Sequence, residues 1–212
     1  MMVNTRQGTW PVSLLALLLL LLPLSVSVSA SGDSPQQLVR DTSSRMLAAM
    51  RAEQDSISQD PARLYTLVEE IVLPNFDFRR MSQWVLGRNW RSATPQQRER
   101  FVAEFRQLLV RSYGTALLEF ADEELVYLPF TGTTDAKSVT VRTEIDQPGV
   151  GVIPINYSMY RSGSGWKVYD VSISGVSLVT NYRSSYGSII RNDGIDQLID
   201  QLAERNRQKA DG

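Results

Sequence analysis

Any chemistry done by this chain is done without histidine or cysteine, because the sequence contains neither. That removes the commonest general base, the commonest zinc ligand and every Ser-His or Cys-His nucleophile pair. Carboxylates, phenols and guanidinium groups remain. Asp170 is the conspicuous carboxylate, since it stands inside the strand-like run Trp166 to Ser174. With Tyr157 or Tyr182 as donor it would form a base-and-phenol pair suited to proton abstraction. The stronger reading is structural, with Asp170 accepting hydrogen bonds from a strand end or a helix start. Ser177, just past Gly175, is placed to cap that helix. Arg79, Arg80, Arg88 and Arg91 flank a short helix and have the fork geometry that a phosphate takes. Four guanidinium groups of this kind are also what an ordinary solvated face carries, and that is the stronger reading of them.

The segments that must position these side chains begin after residue 30. Arg6 is the one charge before Asp33, and an apolar run, Val12 to Leu24, follows it. Small residues come next, and Val28 and Ala30 fit a cleavage site after Ala30. Residues 1–30 are therefore expected to be a removed export signal. The run is shorter than the roughly 20 apolar residues that span a bilayer. Without cysteine there is no lipoprotein attachment site and no disulfide, so about 180 remaining residues must be held by their own core, enough for one domain. Acids and bases nearly balance, 23 against 22, and are interspersed. The footprint of a nucleic-acid binder is missing.

Helix starts are written in repeated form. Ser34-Pro35-Gln36-Gln37 and Thr94-Pro95-Gln96-Gln97 each supply a cap, a first-turn proline and a glutamine at the capping-box position. Asp60-Pro61 starts another helix, which Pro74 should stop. A short helix is expected over Phe76 to Leu86, with Gly87 as its left-handed end. The helix from Thr94 should reach about Phe120, roughly 39 Å at 1.5 Å per residue, with a wide apolar face. The period then changes to two. Strands are expected over Leu125 to Phe130, Val139 to Asp146, Ile153 to Met159 and Trp166 to Ser174, with Ser162-Gly163-Ser164-Gly165 as a turn. A last pair of helices follows Gly175, broken at Gly194. Helices, four antiparallel strands, then helices is an α+β pattern, with helices on one face of a curved sheet.

Two stretches carry a resemblance. One is the run from Val85 through Gly87-Arg88-Asn89-Trp90 to Arg98. The other is Gly165-Trp166-Lys167-Val168-Tyr169-Asp170-Val171, running on through Gly175-Val176-Ser177 to Arg183. Together they are similar to the MlaC, or toluene-tolerance, family, and the resemblance spans roughly Asp33 to Leu202. It implies a cone-shaped core like that of nuclear transport factor 2. It also implies a monomeric periplasmic carrier with no cofactor and no enzymatic activity, whose ligand is a glycerophospholipid. The partners implied are an inner-membrane ABC transporter with an MCE-domain subunit and an outer-membrane lipoprotein–porin complex. Residues 31–206 would be one lipid-binding domain and 207–212 a polar tail.

Physical chemistry makes that role concrete. Lipid tails left in water cost about 0.8 kcal/mol per methylene, so roughly 30 methylenes give a driving force on the order of 20 kcal/mol. A cavity near the upper end of ordinary pockets, about 1,000 Å³, is expected. Its wall is expected from Met81, Val85, Phe101, Phe105, Leu108, Leu109 and Tyr113 on the early helices. The strands would add Val141, Ile155, Tyr157, Val171 and Ile173, and the late helix Val176, Val179 and Tyr182. Taken singly, each is an ordinary core residue; the expectation concerns the set. Met46, Met50, Met81 and Met159 add a plastic element. The competing readings are a binder of other small hydrophobic molecules, a solid-cored interaction module, and an enzyme on the same cone, in the manner of ketosteroid isomerases, using Asp170.

Overall fold

Ser34 opens the first helix as a cap, its hydroxyl accepting from the Gln37 amide at 3.4 Å. The computed structural model describes residues 1, 34–119, 123–133 and 136–208. The expected export signal and residues 209–212 of the polar tail lie outside the described residues, as does Phe120; Arg207 and Gln208 are helical. Helix α1 spans Pro35–Ala52 and is followed by the short α2, Gln54–Gln59. Helix α3, Ala62–Leu67, starts where Asp60 Oδ1 accepts from the Ala62 amide at 2.9 Å. It does not run on regularly to Pro74. A π-helical turn, Val68–Val72, and a 3-10 turn, Leu73–Asn75, follow it. Helix α4, Phe78–Leu86, is capped by Asp77 and ends at Gly87, where φ is +55°. A side chain at Gly87 would also meet the Arg183 guanidinium at 3.0 Å. The α5 turn, Asn89–Ser92, leads to α6, Pro95–Tyr113.

The capping box of α6 forms in full: Thr94 Oγ1 accepts from the Gln97 amide, and Gln97 Oε1 accepts from the Thr94 amide. The helix is shorter than expected. It stops at Tyr113, and α7, Ala116–Glu119, is a separate turn. Gly114 interrupts it, closely packed against Tyr65, whose ring would lie 3.2 Å from a Cβ there. Glycine is also a poor helix former.

Five strands form one antiparallel sheet in chain order: β1 Leu125–Tyr127, β2 Ser138–Gln147, β3 Gly151–Ser162, β4 Gly165–Ile173 and β5 Val176–Ser177. The expected count of four is thus corrected. Ser174 and Gly175 both take positive φ, 50° and 81°, reversing the chain so that Val176 pairs with Ile173. Two residues are too few to show a period in sequence. β1 ends before Phe130 because Pro129 has no amide hydrogen to donate. A bulge between Ser158 and Met159 shifts the β3–β4 register, so Tyr157 opposes Val171 while Met159 opposes Val168. Helix α8, Leu178–Gln208, is broken at Gly194 with φ 85°.

The helices cover one face of the curved sheet. α4, α6 and α8 enclose one apolar cluster, around Phe101, Phe105, Leu198 and Ile199. α1, α3 and the π turn enclose a second, around Met46, Leu64 and Leu67. The inner face of the sheet forms a third with Val39 of α1. The backbone of Asp77 donates to Val168 O at 2.8 Å, tying the start of α4 to β4. Asn206 donates to Glu104, tying the end of α8 to α6.

Candidate ligand cavity

Where those clusters meet they do not close. A cavity of 290 Å³ is bounded by α1, the π turn, the C-terminal end of α6 and the inner face of the sheet. It is smaller than the volume expected from the sequence and lies at the lower edge of ordinary ligand pockets. Flexible side chains fill part of the space: Met46, Met50, Met81 and Met159 all line it.

Seven of the fifteen expected wall residues line this cavity: Met81, Leu109, Tyr113, Ile155, Tyr157, Val171 and Ile173. The others lie elsewhere. Val85, Phe101, Phe105, Leu108 and Val179 are buried in the α4–α6–α8 cluster, with Tyr182 packed against it. There Phe105 meets the Tyr182 ring edge-on at 5.3 Å. The apolar face of α6 is wide enough to serve two interiors: its α8-facing side is close-packed, and its other edge opens on the cavity. Val141 is fully buried among sheet residues and Val39. Val176 is 56 % exposed, because it belongs to edge strand β5 and not to the late helix.

Much of the wall comes from residues outside that set. α1 contributes Leu38, Thr42, Met46, Leu47 and Met50, and the π turn contributes Val68 and Val72. Their apolar spacing is plain in the sequence. What the spacing lacks is any sign that α1 faces the sheet across a gap. The wider π turn also rotates the residues after it relative to a continuous α-helix, which brings Val72 and Leu73 to the wall.

Polar groups on the wall are few. Asn75 donates to Thr42 Oγ1 at 2.9 Å, and Ser43 donates to Val39 O at 2.8 Å. Tyr157 is half-buried on the wall, and burial pushes its hydroxyl up to about 12, a shift that the neighbouring Thr143 hydroxyl partly offsets. Tyr182 and Tyr186 are also raised, burial being the main cause. One acid, Glu123, completes the wall, and no Lys or Arg contributes to it among the described residues.

The four candidate phosphate arginines are thus not at the cavity. Arg79 pairs with Glu99 and lies over Trp90. Arg80 lies 3.9 Å from the centre of the Tyr160 ring, beside a separate polar depression that Asp77, Arg79, Gln83 and Trp84 share. Arg88 and Arg91 are exposed on either side of Asn89 and Trp90. On α4, Met81 and Val85 take the inward positions, so Arg79 is exposed and the half-buried Arg80 lies against Tyr160 and Tyr169, away from the cavity wall.

Asp170 holds the start of α8. Its Oδ2 accepts from Ser177 Oγ at 2.6 Å and its Oδ1 from the Val179 amide at 3.1 Å. Ser177 Oγ in turn accepts from the Thr180 amide at 3.0 Å. Asp170 opposes Ser158 in the sheet, one position out of step with Tyr157. Strand alternation therefore sends Asp170 and Tyr157 to opposite faces. No cluster of three metal-ligating side chains occurs among the described residues.

Comparison with known proteins gives consistent likenesses. The family described as MlaC protein matches residues 40–204. The chain is 31 % identical over 179 residues to the intermembrane phospholipid transport system binding protein MlaC of Haemophilus influenzae, covering 82 % of this chain and 83 % of that protein. It is 26 % identical over 176 residues to the toluene tolerance protein ttg2D of Pseudomonas putida, covering 82 % and 81 %. Among solved structures, the phospholipid-binding protein of Ralstonia solanacearum in complex with a phospholipid matches with a TM-score of 0.76. That match has 32 % identity and covers 82 % of this chain and 98 % of the other.

Proposed function

This chain belongs to the MlaC family, and from that premise we propose that it carries a phospholipid with the tails enclosed in the cavity between α1 and the sheet. The observation that carries the reading is the wall itself: almost wholly apolar, built from both layers of the fold, and bearing a single charged side chain among the described residues. Such a wall removes methylenes from water at about 0.8 kcal/mol each without needing a charged contact.

The carrier acts in the periplasm, behind a leader removed after Ala30, with residues 31–206 as one lipid-binding domain. It takes and gives lipid at an inner-membrane ABC transporter bearing an MCE-domain subunit and at an outer-membrane lipoprotein–porin complex, and so helps maintain lipid asymmetry of the outer membrane. No helix among the described residues is long and apolar enough to cross a membrane. The relatives bear the names of binding and transport proteins. A non-enzymatic role is supported further by Asp170, whose two oxygens are engaged by the start of α8.

Native mass spectrometry of protein purified undenatured from the periplasm tests the proposal. Adducts with the masses of diacyl phospholipids are expected. Protein that is empty, or that carries only small aromatic molecules, would overturn it.

A further inference from the structure

We propose that the face formed by α4, α5 and the first turns of α8 docks the protein reversibly on the surface of an anionic phospholipid bilayer. This goes beyond the carrier reading, because it concerns the outer surface and needs no lipid in the cavity.

Acids and bases are interspersed along most of the sequence, but residues 78–98 hold five arginines and no acid. The fold adds a sixth, since Arg183 of α8 lays its guanidinium against Gly87, between α4 and α5. The six are contiguous. Arg79 and Arg80 share the polar depression with Trp84. Arg79 and Arg98 lie over the Trp90 ring, at 5.5 and 5.4 Å, and Arg98 donates to the Arg91 carbonyl at 3.1 Å. Arg88, next to Gly87, is exposed, as is Arg91. Among the described residues, the carboxylates that meet these groups are Glu99, paired with Arg79, and Asp77, which accepts from the Arg80 amide and the Tyr160 hydroxyl. Six guanidinium groups against two acids make the face basic on a chain whose net charge is −1.

Aromatic rings are set among the charges. Trp84 is 47 % exposed, and no other aromatic side chain among the described residues is as exposed. Its ring lies 5.3 Å from that of Tyr169, and Arg80 rests over Tyr169 and Tyr160. Tryptophan and tyrosine settle at the head-group level of a bilayer, and guanidinium groups pair with its phosphates. A protein partner would need a close-packed apolar centre. Here one exposed tryptophan stands among arginines, and the depression beside it is polar. A bilayer surface asks only for positive charge and a ring to bury. An arginine brought to an anionic leaflet raises partitioning about fivefold, and salt screens that gain.

The test sediments the purified protein at low ionic strength with vesicles of phosphatidylcholine alone, or of phosphatidylcholine and phosphatidylglycerol in equal parts. Wild type is expected to partition on the order of a hundredfold more strongly onto the anionic vesicles and to come off them in high salt. Arg88→Gln combined with Arg91→Gln should weaken that binding about 25-fold, and Trp84→Ala several-fold. Arg45→Gln combined with Arg142→Gln removes the same charge from α1 and β2 and should change it by less than about twofold. Equal association of wild type with both vesicles overturns the membrane face and leaves an acidic protein as its occupant. Equal losses in the two double variants overturn it as well, since binding would then follow net charge alone. Native mass spectrometry of the same preparations reads the carried lipid, so protein that binds anionic vesicles but arrives empty overturns the carrier reading and not the docking face. Unfolding midpoints of the variants, expected to match wild type, separate lost docking from a lost fold.

Discussion

Val171 and Leu108 look alike in sequence, each an aliphatic position on an apolar face, yet they stand in different interiors. Leu108 is fully buried in the close-packed α4–α6–α8 cluster, whereas Val171 borders the cavity. Truncation and enlargement should therefore have opposite signatures. Leu108→Ala leaves a void in a filled core and is expected to cost about 2–5 kcal/mol, with the lipid carried per folded molecule unchanged. Val171→Trp projects into open space, so it should cost less than the roughly 1–3 kcal/mol of overpacking a filled core, while lowering lipid occupancy several-fold. Urea unfolding and native mass spectrometry on the same preparations read the two effects separately. If Val171→Trp lost stability and occupancy in equal measure, the residue would be plain core.

At the scale of elements, the helix starts were the most legible features, because caps act through residues three positions apart. Thr94 and Gln97 form both reciprocal bonds of the capping box, and α6 carries the largest side chains of the core. Thr94→Ala removes the hydroxyl acceptor, and a loss of about 1 kcal/mol in unfolding free energy is expected, with lipid loading unaffected because the cap lies outside the cavity wall. An unchanged urea midpoint would contradict the role given to the box. Less legible was the direction each apolar face looks. Phe101, Phe105 and Tyr113 share one stripe in sequence, but the first two are confined to the α4–α6–α8 cluster, whereas Tyr113 packs at its edge and also reaches the cavity. Periodicity places residues on a face; it does not say which layer that face meets, nor that one face meets two. β5 and the π turn were hidden for a related reason. A strand of two residues and a helical turn of five are shorter than the window in which a period can be seen.

For the whole molecule the question is how a cavity of 290 Å³ serves a ligand with two long tails. The wall supplies the means. Every methionine after residue 2 lies on it: two on α1, one on α4 and one on β3. Their unbranched thioether chains have three rotatable bonds, and they fill or vacate irregular space at little cost. Placed on three elements around one space, they let the same fold admit tails of different length and shape without opening the closed cores beside it. Replacing Met46, Met50, Met81 and Met159 together by leucine conserves volume, at less than about 1.5 kcal/mol per site, so the variant should still fold. Its branched side chains adapt less. Loaded from one mixed phospholipid extract, the variant is expected to carry a narrower range of acyl chain lengths than wild type, read by mass spectrometry of the released lipid. An unchanged range would mean that the wall adapts by moving α1 as a body away from the sheet, and that side-chain rotation has no part in admitting the tails.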